Sequence, residues 1–313
     1  MDLQTALHDP QRFVRLYGAT PPRASTPPER ITAAAERLAA RVQPLPLDGF
    51  VVYDVQDESS RTAEPRPFPF LPTIESRLYA RMLQQHTGKT AITYKCIAEM
   101  TEGGWDSWLN QTREEYGISC LSLVGLSSSR GRQSAISLAQ ATRLATAHPG
   151  NFTLGGVTIA ERHTAQRSES QRLLQKSADG CSYFISQAVY HAETTIRMLS
   201  DYARDCRERG LPPKRIVLTF IPCGRPQTMA FMKWLGVAIS PETERAILGD
   251  PAPLSASLRI CHDNLRAILD QDFAHNIPLG VNIESVSINK EEIAASIELF
   301  QMLDALSRER GFV

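Results

Sequence analysis

The sequence predicts an α/β protein folded as a single (β/α)8 TIM barrel. Three observations point there. Short apolar, β-branched runs recur along the whole chain, amphipathic stretches separate them, and 313 residues with 42% hydrophobic and 22% charged side chains suit one such domain. Residues 1–313 are accordingly read as one domain.

The strand signal falls on eight runs: Phe13 to Leu16, Gly49 to Tyr53, Ala91 to Cys96, Ser119 to Val124, Phe152 to Ile159, Tyr183 to Ser186, Arg215 to Ile221 and Gly280 to Ser287. They follow one another at about 30 to 40 residues, with one gap of about 65, as a repeated βα unit with one elaborated connection would. Between them apolar residues step by three and four, as in Leu138, Ala141, Leu144 and Ala145, or Ile196, Leu199, Tyr202 and Ala203. Glycines after His148-Pro149 and after Arg207-Glu208-Arg209 mark helix stops. Asn289 precedes Glu291 to Leu303, a helix whose acidic first turn complements its dipole. The polar, proline-rich segment Asp57 to Pro72 reads as a long loop at the C-terminal ends of the strands, and Thr20 to Glu29 as a similar βα loop.

Composition narrows the partners. The 34 basic residues balance the 34 acidic ones, so no net field draws the surface to nucleic acid or to an anionic membrane. No apolar run is long enough to span a bilayer, and Met1 to Pro10 has no signal-peptide pattern; a cytoplasmic protein is expected. Six scattered cysteines without a CxxC pair disfavour a zinc site or a disulfide framework and read as reduced core fillers. A small-molecule ligand is expected, with a homo-oligomeric or protein partner left open.

In a barrel of this kind the working residues follow the strands, because the βα loops converge there. Position therefore selects Asp54 and Asp57 after the second strand, Arg130 after the fourth, and Glu161 and His163 after the fifth. Gln187 and His191 come with the sixth, and Glu284 with the last. Carboxylates, histidines and a glutamine at one mouth suit a polar heterocycle and the movement of a proton. Neither GxGxxG nor GxxxxGK[ST] is present, and Ser127 to Arg132, with Arg130, offers the hydroxyls and guanidiniums that would suit a phosphate.

The order and spacing of several short stretches give the chain a family resemblance. They are Pro21-Pro22-Arg23, Tyr94-Lys95-Cys96-Ile97, Leu121 to Gly125, Glu161-Arg162-His163, Glu169 to Gly180, Phe184-Ile185-Ser186-Gln187, Ile221-Pro222 and Leu235-Gly236-Val237. Together they resemble the methylenetetrahydrofolate reductase family over nearly the whole chain, most specifically in Glu169 to Gln187. The resemblance implies a flavoprotein barrel using FAD and NAD(P)H on a tetrahydrofolate derivative. It assigns Gln187 to the pterin and His163, Glu169 and Lys176 to the flavin; Glu161 and His191, selected by position, are expected near the substrate.

Three positions depart from the family. The glutamate expected three residues before Pro-Pro-Arg is Gly18, the Arg-Gly-Asp after the fourth strand reads Val124-Gly125-Leu126, and the third-strand histidine is replaced by Thr93 or a neighbour. Glycine cannot transfer a proton, so Asp54, Asp57 and Glu284 are the candidate replacement acids. The leading expectation is a divergent reductase-like enzyme of one-carbon metabolism. The alternatives are a folate-dependent methyltransferase or demethylase on the same barrel, and a non-catalytic binding or regulatory subunit.

Overall fold

The computed structural model describes residues 2–58, 62–98, 100–125 and 135–313. Eight parallel strands close on themselves in chain order: β1 (Val14–Ala19), β2 (Gly49–Val52), β3 (Ala91–Cys96), β4 (Cys120–Val124), β5 (Thr153–Thr158), β6 (Tyr183–Ala188), β7 (Arg215–Phe220) and β8 (Leu279–Glu284). The barrel expected from the sequence is the fold observed. Each predicted run carries a strand, with ends moved by a few residues. The last strand stops at Glu284 because Ser285 and Ser287 turn on one another, the Ser285 hydroxyl donating to Ser287 O at 3.1 Å.

Eleven α-helices accompany the strands among the described residues. A short α1 (Leu3–His8) precedes β1, and α2 (Pro28–Val42), α3 (Ser76–Thr87), α4 (Glu102–Glu114), α5 (Leu138–Ala147), α6 (Glu169–Ala178) and α7 (Ala192–Glu208) follow β1 to β6. The long gap holds three helices where one would serve: α8 (Pro226–Trp234), α9 (Pro241–Leu248) and α10 (Pro253–Leu269). Last comes α11 (Lys290–Glu309), where Asn289 accepts from the Glu291 and Glu292 amides, the cap expected from the sequence.

Strand side chains alternate between two cores. Outward residues such as Tyr17, Phe50, Phe184 and Leu218 pack under the helices, while Val14, Leu16, Val51, Ile92, Tyr183, Ile185 and Val217 fill the barrel. Gly155 is required here, since a Cβ on it would lie 2.1 Å from the Tyr183 ring, whose hydroxyl donates to Leu121 O at 2.7 Å. From below, α1 inserts Leu3, Ala6 and Leu7 into the same cluster. Buried Arg215 ties that end together, donating to the carbonyls of Leu7 (3.1 Å), Arg12 (2.7 Å), Leu279 (2.7 Å) and Asp9. All six cysteines are free and buried, and burial pushes the thiols of Cys120, Cys223 and Cys261 up to about 12.

Candidate active site at the mouth of the barrel

Inward positions one step above the apolar layer turn polar. On β8, Asn282 and Glu284 share the inner face at two-residue spacing, and the end of β2 brings Tyr53 against them. Asn282 Nδ2 donates to the Tyr53 hydroxyl at 3.0 Å and to Thr219 Oγ1 at 3.4 Å, and the Tyr53 hydroxyl in turn bonds the Glu284 carboxyl. The Tyr53 ring packs tilted on Tyr94 of β3 with centroids 4.9 Å apart. Asn282 Oδ1 is buried and takes no hydrogen bond.

Glu284 occupies space that another residue at position 18 would take. Gly18 is the register partner of Glu284 across the β1–β8 pair, and a Cβ on Gly18 would lie 2.5 Å from Glu284 Oε2 and 2.7 Å from its Cβ. The acid missing from β1 is thus matched by an acid on the neighbouring strand at the same height. Burial pushes the Glu284 carboxyl up to about 7, against the lowering effect of the bonds from Tyr53 and Asn282. A carboxyl with that pKa exchanges protons at neutral pH.

Gln187 stands at the end of β6, where the β6–β7 register slips between Ile185 and Ala188. Its Nε2 donates to Leu235 O, just past α8, at 2.9 Å. One N–H therefore fixes the amide plane, and its carbonyl oxygen and second N–H are available to a ligand.

The other sequence candidates have different surroundings. Asp54 stitches the ends of β2 and β3, accepting from the Cys96 amide and from Gln56 Nε2, each at 2.9 Å. Asp57 is exposed in the loop beyond. Glu161 lies in a single helical turn after β5, where burial raises its pKa and nearby His191 lowers it; His191 is exposed at the start of α7, 3.2 Å from Thr194 Oγ1. Arg130 lies outside the described residues.

The three residues that the resemblance gives to flavin face inward. His163 accepts from the Glu169 amide at 3.2 Å through Nδ1 and meets Asp201 Oδ2 at 2.8 Å through Nε2, so both ring nitrogens are occupied. Glu169 is fully buried, accepts from the Ile159 amide at 3.3 Å and pairs with Arg172 at 3.2 Å. Lys176, which exposure as the default for lysine would put in solvent, is half-buried and donates to Val157 O at 2.6 Å. These contacts brace β5 to α6 and α7.

The sequence candidates omitted Tyr53, Tyr94, Asn282 and Thr219, because they were gathered after the strands rather than within them. The signal was present in the two-residue alternation Val51-x-Tyr53, Ile92-x-Tyr94 and Asn282-x-Glu284, apolar below and polar above. Among the described residues no cluster of three His, Cys, Asp or Glu is placed to hold a metal ion, and no helix is long and apolar enough to cross a membrane.

The fold and this polar mouth define a (β/α)8 barrel of the ligand-binding or enzymatic kind, with its working end at the C-terminal side of the strands. The chain is similar to a Clostridium thermocellum protein whose structure is described as binding two copies of 5-methyl-5,6,7,8-tetrahydrofolic acid. The two share 29% identity with a TM-score of 0.83, over 97% of this chain and 99% of the other. A 2,3-dimethylmalate lyase (14% identity, TM-score 0.45, 98% of this chain and 97% of that one) and a Xanthomonas albilineans dihydropteroate synthase (10%, 0.47, 95% and 94%) overlap too weakly to carry an argument. No protein-family model and no curated protein matches the chain.

Proposed function

We propose that this barrel binds a reduced folate at its mouth and works as an enzyme of one-carbon chemistry, with Glu284 as its acid. The observation that carries the reading is the Gly18–Glu284 pair. A proton-exchanging carboxyl faces the mouth from the strand beside the place where the resembled family keeps its own, and the glycine makes room for it. Full-length similarity to a protein that binds 5-methyltetrahydrofolate supports the ligand class.

In this reading Gln187 reads the polar edge of the pterin with its free carbonyl and second N–H, held in plane by Leu235 O. Asn282 Oδ1 supplies a further acceptor. Glu284 in its protonated form donates to the nitrogen that releases the one-carbon unit. That nitrogen keeps the electron pair of the broken C–N bond, and the carboxylate left behind is stabilised by Tyr53 and regains its proton from solvent. Opening a methylene bridge and removing an N-methyl group share this requirement: in the first the carbon would take a hydride from NAD(P)H or a flavin, and in the second the methyl group would pass to a nucleophilic acceptor such as a thiolate, which supplies the electron pair of the new bond.

Calorimetric titration of tetrahydrofolate and 5-methyltetrahydrofolate tests the binding. Native protein should bind at least one of them, and Gln187→Ala should weaken it by about 1–3 kcal/mol, as expected when a buried hydrogen-bonding amide is removed. No binding to native protein overturns the function, whereas native affinity in the variant overturns the placement of the pterin. FAD that reconstitutes with a flavin spectrum and is reduced by NAD(P)H would restore the reductase reading.

A further inference from the structure

Residues 62–75, ahead of α3, form a strap across the rim from the loop after β1 to the β7 sector, where α8 begins. It is pinned at both places. Near its far end it pairs with the loop after β1, Ile74 N donating to Pro22 O at 2.9 Å and Ala24 N to Pro72 O at 2.8 Å. In its middle it lies on α8, where Trp234 Nε1 donates to Glu64 O at 3.1 Å, Gln227 Nε2 donates to Pro67 O at 3.2 Å, and Phe68 meets Phe231 edge-on at 5.2 Å.

At the centre of this contact Arg66 lies over three aromatic rings: Trp234 at 5.0 Å, Phe231 at 5.4 Å and Phe70 at 5.4 Å. Its Nε and Nη1 are withdrawn from solvent and have no hydrogen-bond partner. Aromatic faces attract the cation but accept none of its N–H groups in the manner of an oxygen. Burial lowers its pKa, and the nearby Glu58 and Asp57 carboxylates act the other way. A guanidinium with two nitrogens that lack an acceptor suits a carboxylate or another planar anion. Its position names which one: Arg66 rests on Trp234, and the next residue, Leu235, supplies the carbonyl that orients Gln187. The same helix end thus carries a group suited to a neutral heterocycle and, at the rim, one suited to an anion.

We propose that Arg66 receives a carboxylate of the glutamyl tail of the folate as that tail leaves the mouth beneath the strap. This rests on the folate reading above and adds a specificity site to it. Arg66→Met is the informative variant, because an unbranched thioether keeps the apolar packing on the rings while removing every donor.

The experiment is calorimetric titration of the full chain and of Arg66→Met and Arg66→Lys, each with 5-methyltetrahydrofolate and with a tetrahydropterin lacking the p-aminobenzoylglutamate portion. The melting temperature is recorded for every variant. Expected is a loss of about 10- to 100-fold in affinity for the tailed ligand in Arg66→Met, a smaller loss in Arg66→Lys, and unchanged affinity for the tail-less pterin. Equal weakening of both ligands, or of neither, overturns the tail site and leaves the folate reading standing. Native protein that binds neither ligand overturns both.

Discussion

Two arginines at opposite ends of the barrel show how differently its ends are built. Arg215, at the closed lower end, donates to four backbone carbonyls around the α1 plug. Arg66, at the upper rim, lies against three rings, with two nitrogens that meet no acceptor. A buried donor without a partner carries a desolvation penalty, so evolution keeps one only where something else completes it. The lower end is finished within the chain, whereas the ligand proposed above would complete the upper end.

The sharpest way to break this comparison is to damage the finished end. Arg215→Met removes one guanidinium and strands the carbonyls of Leu7, Asp9, Arg12 and Leu279, and should lower unfolding free energy by about 3–5 kcal/mol. Denaturant melts of native and variant protein measure it. A loss below about 1 kcal/mol would mean that this network does not hold the lower end. Arg66→Met should instead cost less than Arg215→Met, because two of its nitrogens have no acceptor to lose and the thioether keeps the apolar contact with the rings.

The next largest effect belongs to Glu284. Its carboxyl titrates near 7 in the folded chain and at its ordinary 4.5 when unfolded, so between these values the folded state holds more protons. Stability contributed by the protonated form is complete below pH 4.5 and declines as pH rises to about 7, by at most about 3 kcal/mol. Comparison of native protein with Glu284→Gln across this range isolates the effect, and the glutamine variant should be the more stable at pH 8. Parallel stability profiles for the two proteins would show that Glu284 titrates like an exposed carboxyl and would remove it as a neutral-pH acid.

How much of this was legible beforehand follows from the range of the forces involved. The strands could be read because β-branched runs such as Ala91–Cys96 and Arg215–Phe220 carry their own signal, and the cap at Asn289 is local as well. Gln187 and Glu284 could be nominated because strand ends converge in a barrel. The internal partners of His163, Glu169 and Lys176 could not, since each depends on side chains or carbonyls brought in by other elements. Arg66 escaped notice for the same reason. A polar, proline-rich segment does not announce that it will cross to Trp234, 168 positions later in the chain.

The smallest expected effect tests the geometry at the centre of the functional reading. Gly18→Ala adds a single methyl group that would sit 2.5 Å from Glu284 Oε2 and 2.7 Å from its Cβ, too close for either to stay. Because the Cβ is fixed to the β8 backbone, rotation of the carboxyl alone does not relieve the contact, and the strand pair must give. Overpacking of this kind should lower stability by about 1–3 kcal/mol, read by denaturant melting. In the double variant Gly18→Ala/Glu284→Ala the contact with Oε2 is gone and only the Cβ contact persists, so the added penalty should be smaller than in the native background. Equal penalties in both backgrounds would show that the carboxyl does not occupy the space above Gly18, and the pairing of absent and present acids on neighbouring strands would lose its meaning.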